Sequence, residues 1–311
     1  MSRDAVKGYL LGAAAACTYG LNPLFALPCY SGGMNADSVL FFRYLIAIPL
    51  LAVLIKARGR SFRVSGRQLG VLAVLGVLMA VSSLTLFLSY NYMYAGLAST
   101  LLFVYPIMVA VIMAVFFRER ASMVTVMCIA LALVGIGLLY KGENGATLSL
   151  AGTILVMVSA LSYAIYIVAV NKSSLSKVPT LTVTFYILLF GVGVFAVRLL
   201  MQGSVPVPAA NDWWLWGNLV CLAVFPTAVS FACTTSAIHY IGSTQTAILG
   251  ALEPVTAVVV GVAVFHEVLT TRDVCGLVLI VLAVTGVIAS HQIGHALSSV
   301  RRMFPKLVRN N

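Results

Sequence analysis

Long apolar runs separated by short polar links organise the whole chain. A helix needs about 20 mostly apolar residues to cross roughly 30 Å of hydrocarbon. Ten stretches meet that length: 7–28, 38–55, 68–90, 95–117, 121–140, 150–171, 180–201, 213–237, 243–265 and 271–290, each bounded by charge, Pro, Gly or Asn. The pattern predicts an all-α membrane protein of ten transmembrane helices. The links are too short for a further domain, so any chemistry falls among the helices. Arg3 and Lys7 ahead of an Ala-rich run resemble a signal peptide. That run is long enough to span, and nine more follow, so it reads as a retained first helix.

Composition agrees. Of 311 residues, 61% are hydrophobic and 9% charged, where a soluble domain carries roughly a quarter charged residues. A soluble enzyme, a disordered chain and a nucleic-acid-binding module are excluded. The net charge of +11 would otherwise suggest a polyanionic partner, but the basic residues lie mainly in alternate links. With the N-terminus inside, inner segments hold fifteen Lys and Arg, outer segments hold Lys141, Arg198 and Arg272, and Arg43 lies within a span. This bias predicts both termini on the cytoplasmic side of the cell's inner membrane. The charge reports topology, and no nucleic acid is expected. The six cysteines form no C-x-x-C pair, so no disulfide framework is indicated.

The two halves of the chain resemble each other. Tyr92, Pro106 and Glu119 are spaced by 14 and 13 residues, as are Tyr240, Pro254 and Glu267. Gly8 and Ala16-Cys17-Thr18-Tyr19-Gly20 align on Gly152 and Ala160-Leu161-Ser162-Tyr163-Ala164. Each half holds five spans, an odd number, so the second is inverted relative to the first. The expected domains are residues 1–145, residues 146–292 and a basic amphipathic cytoplasmic tail over 293–311. Inverted repeats of this kind mark secondary transporters, with the substrate near midplane between the repeats. A duplicated structural bundle is the blander reading.

The order of these features resembles a known family. Phe41-Phe42-Arg43-Tyr44-Leu45-Ile46-Ala47, Tyr105-Pro106 ending in Arg118-Glu119, and Leu252-Glu253-Pro254-Val255 ending in His266-Glu267 are similar to the EamA domain of the drug/metabolite transporter superfamily. The resemblance covers the chain as two tandem EamA units. It implies a ten-helix inner-membrane carrier, typically exporting amino acids, metabolites or xenobiotics, with helices five and ten peripheral. The glycines closing the two units, Gly135 or Gly137 and Gly286, do not align without a gap, which leaves the packing of those helices open.

Candidate site residues follow from polarity within the spans. Glu253 lies near the middle of the ninth span, where a carboxylate costs at least roughly 2.5 kcal/mol. It is a counter-charge for an amino group, a proton site for coupling, or a structural carboxyl. Its mate, Tyr105, is neutral. Tyr19 and Tyr163 occupy equivalent positions and are expected to line one cavity, with Asn22 and Tyr166, another aligned pair, on the same wall. Such rings suit a partly apolar, amphiphilic or cationic solute. Arg43 is a candidate for a substrate carboxylate, though its place in the family pattern favours a structural role. Glu119 and Glu267, at helix ends, are expected to bond nearby backbone N–H groups or Arg residues.

Pro106 and Pro254, at equivalent mid-span positions, free the carbonyls of Leu102 and Gly250 and are candidate hinges. Pro23 has no counterpart, because Ile167 occupies the equivalent position of the other repeat, which predicts asymmetric opening. Gly8, Gly12, Ala16 and Gly20 give the first helix a small residue at every fourth position, a face for close packing.

No H-E-x-x-H, G-x-S-x-G or phosphate-cradling motif occurs, so no catalytic role and no cofactor is expected. His291 and His295 lack a third metal ligand. The sequence therefore predicts a secondary active transporter moving a small metabolite or amino acid, with export the direction that the family resemblance implies. Its partners are the bilayer, the solute and, on one reading of Glu253, a coupled proton. A cationic drug or polyamine carrier and a cofactor importer are the alternatives within transport. A non-transporting scaffold or intramembrane enzyme is the rival from another class.

Overall fold

The computed structural model describes residues 3–118, 123–140, 149–203 and 205–286. Glu119, the pair His291 and His295, and the amphipathic tail lie outside the described residues. Among those described there is no strand. The helices are α1 (Arg3–Gly20), α2 (Asn22–Ser31), α3 (Ala36–Ala57), α4 (Gly66–Ser89), α5 (Ala95–Leu102), α6 (Tyr105–Phe117), α7 (Met123–Tyr140), α8 (Leu150–Lys172), α9 (Thr180–Gln202), α10 (Trp213–Ala223), α11 (Ser230–Leu249) and α12 (Leu252–Phe265), then α13 over 271–286. Among the described residues, seven helical runs are long and apolar enough to cross a membrane: Asp4–Ser31, Ala36–Ala57, Gly66–Ser89, Ala95–Phe117, Leu150–Val170, Thr180–Gln202 and Trp213–Ile241. Val126–Leu138 and Leu252–Phe265 are shorter apolar helices.

Local chemistry sets several helix ends. The Asn35 side chain accepts from the Ser38 N–H at the start of α3, and Ser65 with Gln68 makes a reciprocal capping box on α4, so orphan donors of the first turn are satisfied. Asp37 in the first turn of α3 pairs with Arg198 of α9 at 2.6 Å, and the Gln202 amide donates to it at 2.9 Å. Arg118 and His266 end α6 and α12 with φ of 55° and 54°, the left-handed cap that stops a helix at the matching point of each half.

The helix over Ser230–Leu249 contains a reversal. A methyl group on Gly12 would lie 3.6 Å from Ala237 Cβ and 3.7 Å from Leu249 Cβ. Twelve residues of straight helix separate two atoms by about 18 Å, so the chain doubles back between those positions. On one side of the bend Ser230 lies at Ala15; on the other Glu253 and Thr256 lie at Gly20. Span eight therefore runs antiparallel to α1 and span nine runs parallel to it. Gly8, Gly12 and Gly20 make this three-way approach possible, because a Cβ on Gly20 would meet the Glu253 carbonyl oxygen at 2.6 Å.

The packing pairs obey an approximate twofold relation. α1 packs on α11 and α12, and its mate α8 packs on α4 and α6. α3 packs on α10 and α9 packs on α4, while α3 and α9 also pack together. One hydrogen bond repeats at the same register. Ser82 of α4 donates its hydroxyl to the Ser159 carbonyl of α8 at 3.0 Å, and Ser230 of α11 donates to the Ala15 carbonyl of α1 at 2.9 Å. Ser159 returns a bond to the Ser82 carbonyl at 2.7 Å, whereas Ala15 has no hydroxyl to return. The two seams are thus the same joint, pinned twice on one side and once on the other.

α7 and α13 pack against each other. A Cβ on Gly135 would lie 2.9 Å from the Gly276 carbonyl oxygen, and one on Gly286 would lie 2.7 Å from Cys128 Sγ. Both closing glycines serve one antiparallel helix pair at different levels, which accounts for their failure to align. The six cysteines are free.

Candidate functional site

Both candidate hinge prolines sit just after a helix break. α5 stops at Leu102 and α6 starts at Tyr105, with Pro106 in its first turn; α11 stops at Leu249 and α12 starts at Leu252, with Pro254 in its first turn. There a missing N–H removes no intrahelical bond. The Gly250 carbonyl accepts from the Glu253 N–H at 2.9 Å. The breaks leave Tyr105 and Glu253 at helix starts facing the interior, each next to its proline. α1 also breaks, at Leu21, ahead of Pro23 in α2, while α8 runs unbroken past Ile167.

A chamber of about 240 Å³ lies between the halves, lined by Tyr19, Tyr105, Tyr163 and Glu253 together with Ser230 and Thr234. Tyr105 packs edge-on against Tyr163 with ring centroids 4.7 Å apart, and Tyr163 stacks on Tyr166 at 5.7 Å. Glu253 has no hydrogen-bond partner for its carboxylate among the described residues. Gly12, Ala15 and Ala16 supply the small wall against which the rings stand. Tyr19, Tyr105, Tyr163 and Glu253 thus face one space, whereas Tyr166 and Asn22 do not line it.

A second chamber, of about 40 Å³, adjoins the first through Tyr19, Tyr163 and Phe231, which line both. Arg43 and Tyr166 line this one. Arg43 is 6% exposed; its Nε donates to Thr227 Oγ1 at 3.2 Å and its guanidinium lies 5.6 Å from the Phe87 ring centroid. Thr227 stands in a π-helical turn, Val224–Val229, that follows α10 and contains Pro226. The wider turn presents the hydroxyl to Arg43, and π-turns recur at functional sites.

Asn22 takes another role. It is 4% exposed, its Nδ2 donates to the Tyr19 carbonyl at 2.8 Å, and it lines neither chamber. Its amide N–H thus bonds the last turn of α1 beside the break at Leu21, while its Oδ1 has no partner among the described residues. Glu267 lies outside the apolar helices and caps the start of α5, accepting from the Ala95 N–H at 2.9 Å. Burial pushes its carboxyl up, and the Ala95 and Gly96 N–H groups pull against that.

Thr227, Met79, Ile187 and Phe231 were not expected. The repeat offsets hold the signal for them. The offset of 144 residues that relates Tyr19 to Tyr163 also relates Arg43 to Ile187; the offset of 148 that relates Tyr105 to Glu253 also relates Met79 to Thr227 and Ser83 to Phe231. All of the last six line the small chamber, which therefore sits on the pseudo-twofold axis. The buried Arg43–Thr227 bond has as its mate the apolar pair Ile187 and Met79, which belong to one cluster and line the same chamber. No cluster of His, Cys, Asp or Glu able to hold a metal occurs among the described residues.

Comparison with known proteins places these features in context. The EamA-like transporter family model matches residues 6–141 and 150–289. A protein of Archaeoglobus fulgidus named an uncharacterized transporter is 31% identical over 237 residues, covering 76% of this chain and 79% of the relative. Another of that name, from Vibrio cholerae, is 26% identical over 242 residues, covering 76% of each. A solved crystal structure superposes with a TM-score of 0.65 over 90% of this chain and 95% of its own, at 17% identity, and shares the fold. The chain belongs to the EamA-like transporter family, as two tandem units of a multi-pass membrane transporter.

Proposed function

We propose that the chain is a secondary carrier working by alternating access, in which two inverted five-helix repeats, residues 1–145 and 146–292, move around the paired chambers. It crosses the inner membrane ten times with both termini in the cytoplasm; the reversal inside Ser230–Leu249 supports counting spans eight and nine separately. The cargo is a small metabolite bearing an amino group, held at Glu253 among Tyr19, Tyr105 and Tyr163. Export is the direction the family resemblance implies. The observation that carries the reading is the chamber itself, because two mated pairs, Tyr19 with Tyr163 and Tyr105 with Glu253, face one space. Substrate sites of inverted-repeat carriers lie at such a junction. A proton on the Glu253 carboxylate is the second reading, favoured by its lack of a hydrogen-bond partner among the described residues.

The test is counterflow in proteoliposomes preloaded with a broad metabolite panel. Exchange of any member supports a carrier, and absence of exchange across the panel overturns it. The hinges make a separate claim. Pro254→Ala restores a backbone donor at the break before α12 and lets α11 continue into α12. Exchange should slow several-fold with unchanged KM, and an unaltered turnover removes Pro254 from the moving parts.

A further inference from the structure

The two charges of the interior lie in different chambers. Glu253 lines only the larger one and Arg43 only the smaller, and Tyr19, Tyr163 and Phe231 form the wall between. Both charges break the pseudo-twofold relation, since their mates are Tyr105 and Ile187. Arg43 is buried and held through Nε alone by Thr227. Its Nη1 and Nη2 donors make no hydrogen bond among the described residues, so the fork that suits a carboxylate is free. The smaller chamber, about 40 Å³, has room for a polar group of a few atoms, since one water needs about 10–15 Å³ of such space. A carboxylate fits it.

We infer that the cargo is an extended dipolar solute, with a protonated amine at Glu253 and a carboxylate at Arg43, threaded past the Tyr19–Tyr163 wall. Passing a ring takes van der Waals contact on both of its faces, roughly 7 Å in all. An α-amino acid carries both charges on one carbon and cannot reach both chambers. A solute with its charges at opposite ends of a short chain can. This rests on the carrier reading above. Thr227 is the positioning residue that aims the guanidinium, and its hydroxyl is available because of the π-turn.

The experiment measures counterflow of four labelled probes in proteoliposomes of the full chain: 6-aminohexanoate, hexylamine, hexanoate and alanine. The expected wild-type result is a kcat/KM for 6-aminohexanoate at least about 10-fold above each of the others, the worth of one charge-assisted hydrogen bond. Arg43→Gln should bring the ratio of 6-aminohexanoate to hexylamine down to about one. Thr227→Val keeps the charge but loses its tether, and should raise KM for 6-aminohexanoate several-fold while the thermal midpoint shows the protein folded. The inference is overturned by a wild-type ratio near one, by alanine exchanging as fast as 6-aminohexanoate, or by a ratio that survives Arg43→Gln. If both variants misfold, the wild-type ratios still decide. Exchange of other panel solutes but none of these four sinks the dipolar cargo and leaves the carrier standing; silence across the whole panel sinks the carrier itself.

Discussion

Glu253→Gln is expected to lower exchange of amine-bearing solutes by about 10- to 100-fold while leaving the protein as stable as the wild type or more so. The first effect follows from losing a charged hydrogen-bond partner for the cargo's amine, worth about 1.5–3 kcal/mol. The second follows from the same surroundings. A carboxylate among Tyr19, Tyr105 and Tyr163 with no hydrogen-bond partner among the described residues is costly to hold in an apolar wall, and glutamine keeps its shape without the charge. Function and stability moving in opposite directions distinguish a binding group from a structural one. The measurements are counterflow kinetics across pH and a thermal midpoint in detergent. A variant that exchanges normally removes Glu253 from the site. One that loses affinity but keeps the wild-type pH profile removes the coupling proton from this carboxylate.

The second large effect is expected at the seams. Ala15→Ser supplies the hydroxyl that Ser159 has at the equivalent position, so α1 and α11 gain the return bond that already joins α8 and α4. One buried hydrogen bond contributes about 1 kcal/mol, which corresponds to roughly 5-fold in a rate if the bond must break during opening. Because Ala15 and Ser230 border the larger chamber, the singly pinned seam is the one expected to part. Ala15→Ser should therefore reduce turnover about 5-fold and raise the thermal midpoint. The matching change, Ser159→Ala, should lower the midpoint and slow nothing. If Ala15→Ser stabilises the protein without slowing exchange, the α1–α11 seam does not open.

Much of this architecture was legible because a repeat states the same fact twice. Tyr92–Pro106–Glu119 against Tyr240–Pro254–Glu267 located the breaks, and the alignment of Tyr19 on Tyr163 located a shared wall. The single carboxylate of a span interior was legible from cost alone. The second chamber was not, because Arg43, Met79, Ile187 and Thr227 come from four helices whose rotations no local pattern records. Asn22 was misjudged for a related reason. Alignment put it opposite Tyr166, but a broken helix supplies backbone carbonyls that an amide satisfies locally, and that need came first. The π-turn around Pro226 left only a proline as its trace, and a proline alone does not say whether a helix kinks, breaks or widens.

The Arg43–Thr227 bond and its apolar mate, Ile187–Met79, carry a consequence for energetics. In a carrier whose two halves exchange conformations, a symmetric site would present the same groups to solute from either face, and the two faces would bind equally. Here each pair joins the two repeats, one polar (Arg43 with Thr227) and its mate apolar (Ile187 with Met79), so the inward- and outward-open forms of the proposed carrier would be different receptors. Their affinities differ, and detailed balance ties that difference to the populations of the empty forms. The asymmetry thus sets where the empty carrier rests and how each face saturates. It does not by itself drive net movement, which follows only the gradient of cargo or of a coupled ion.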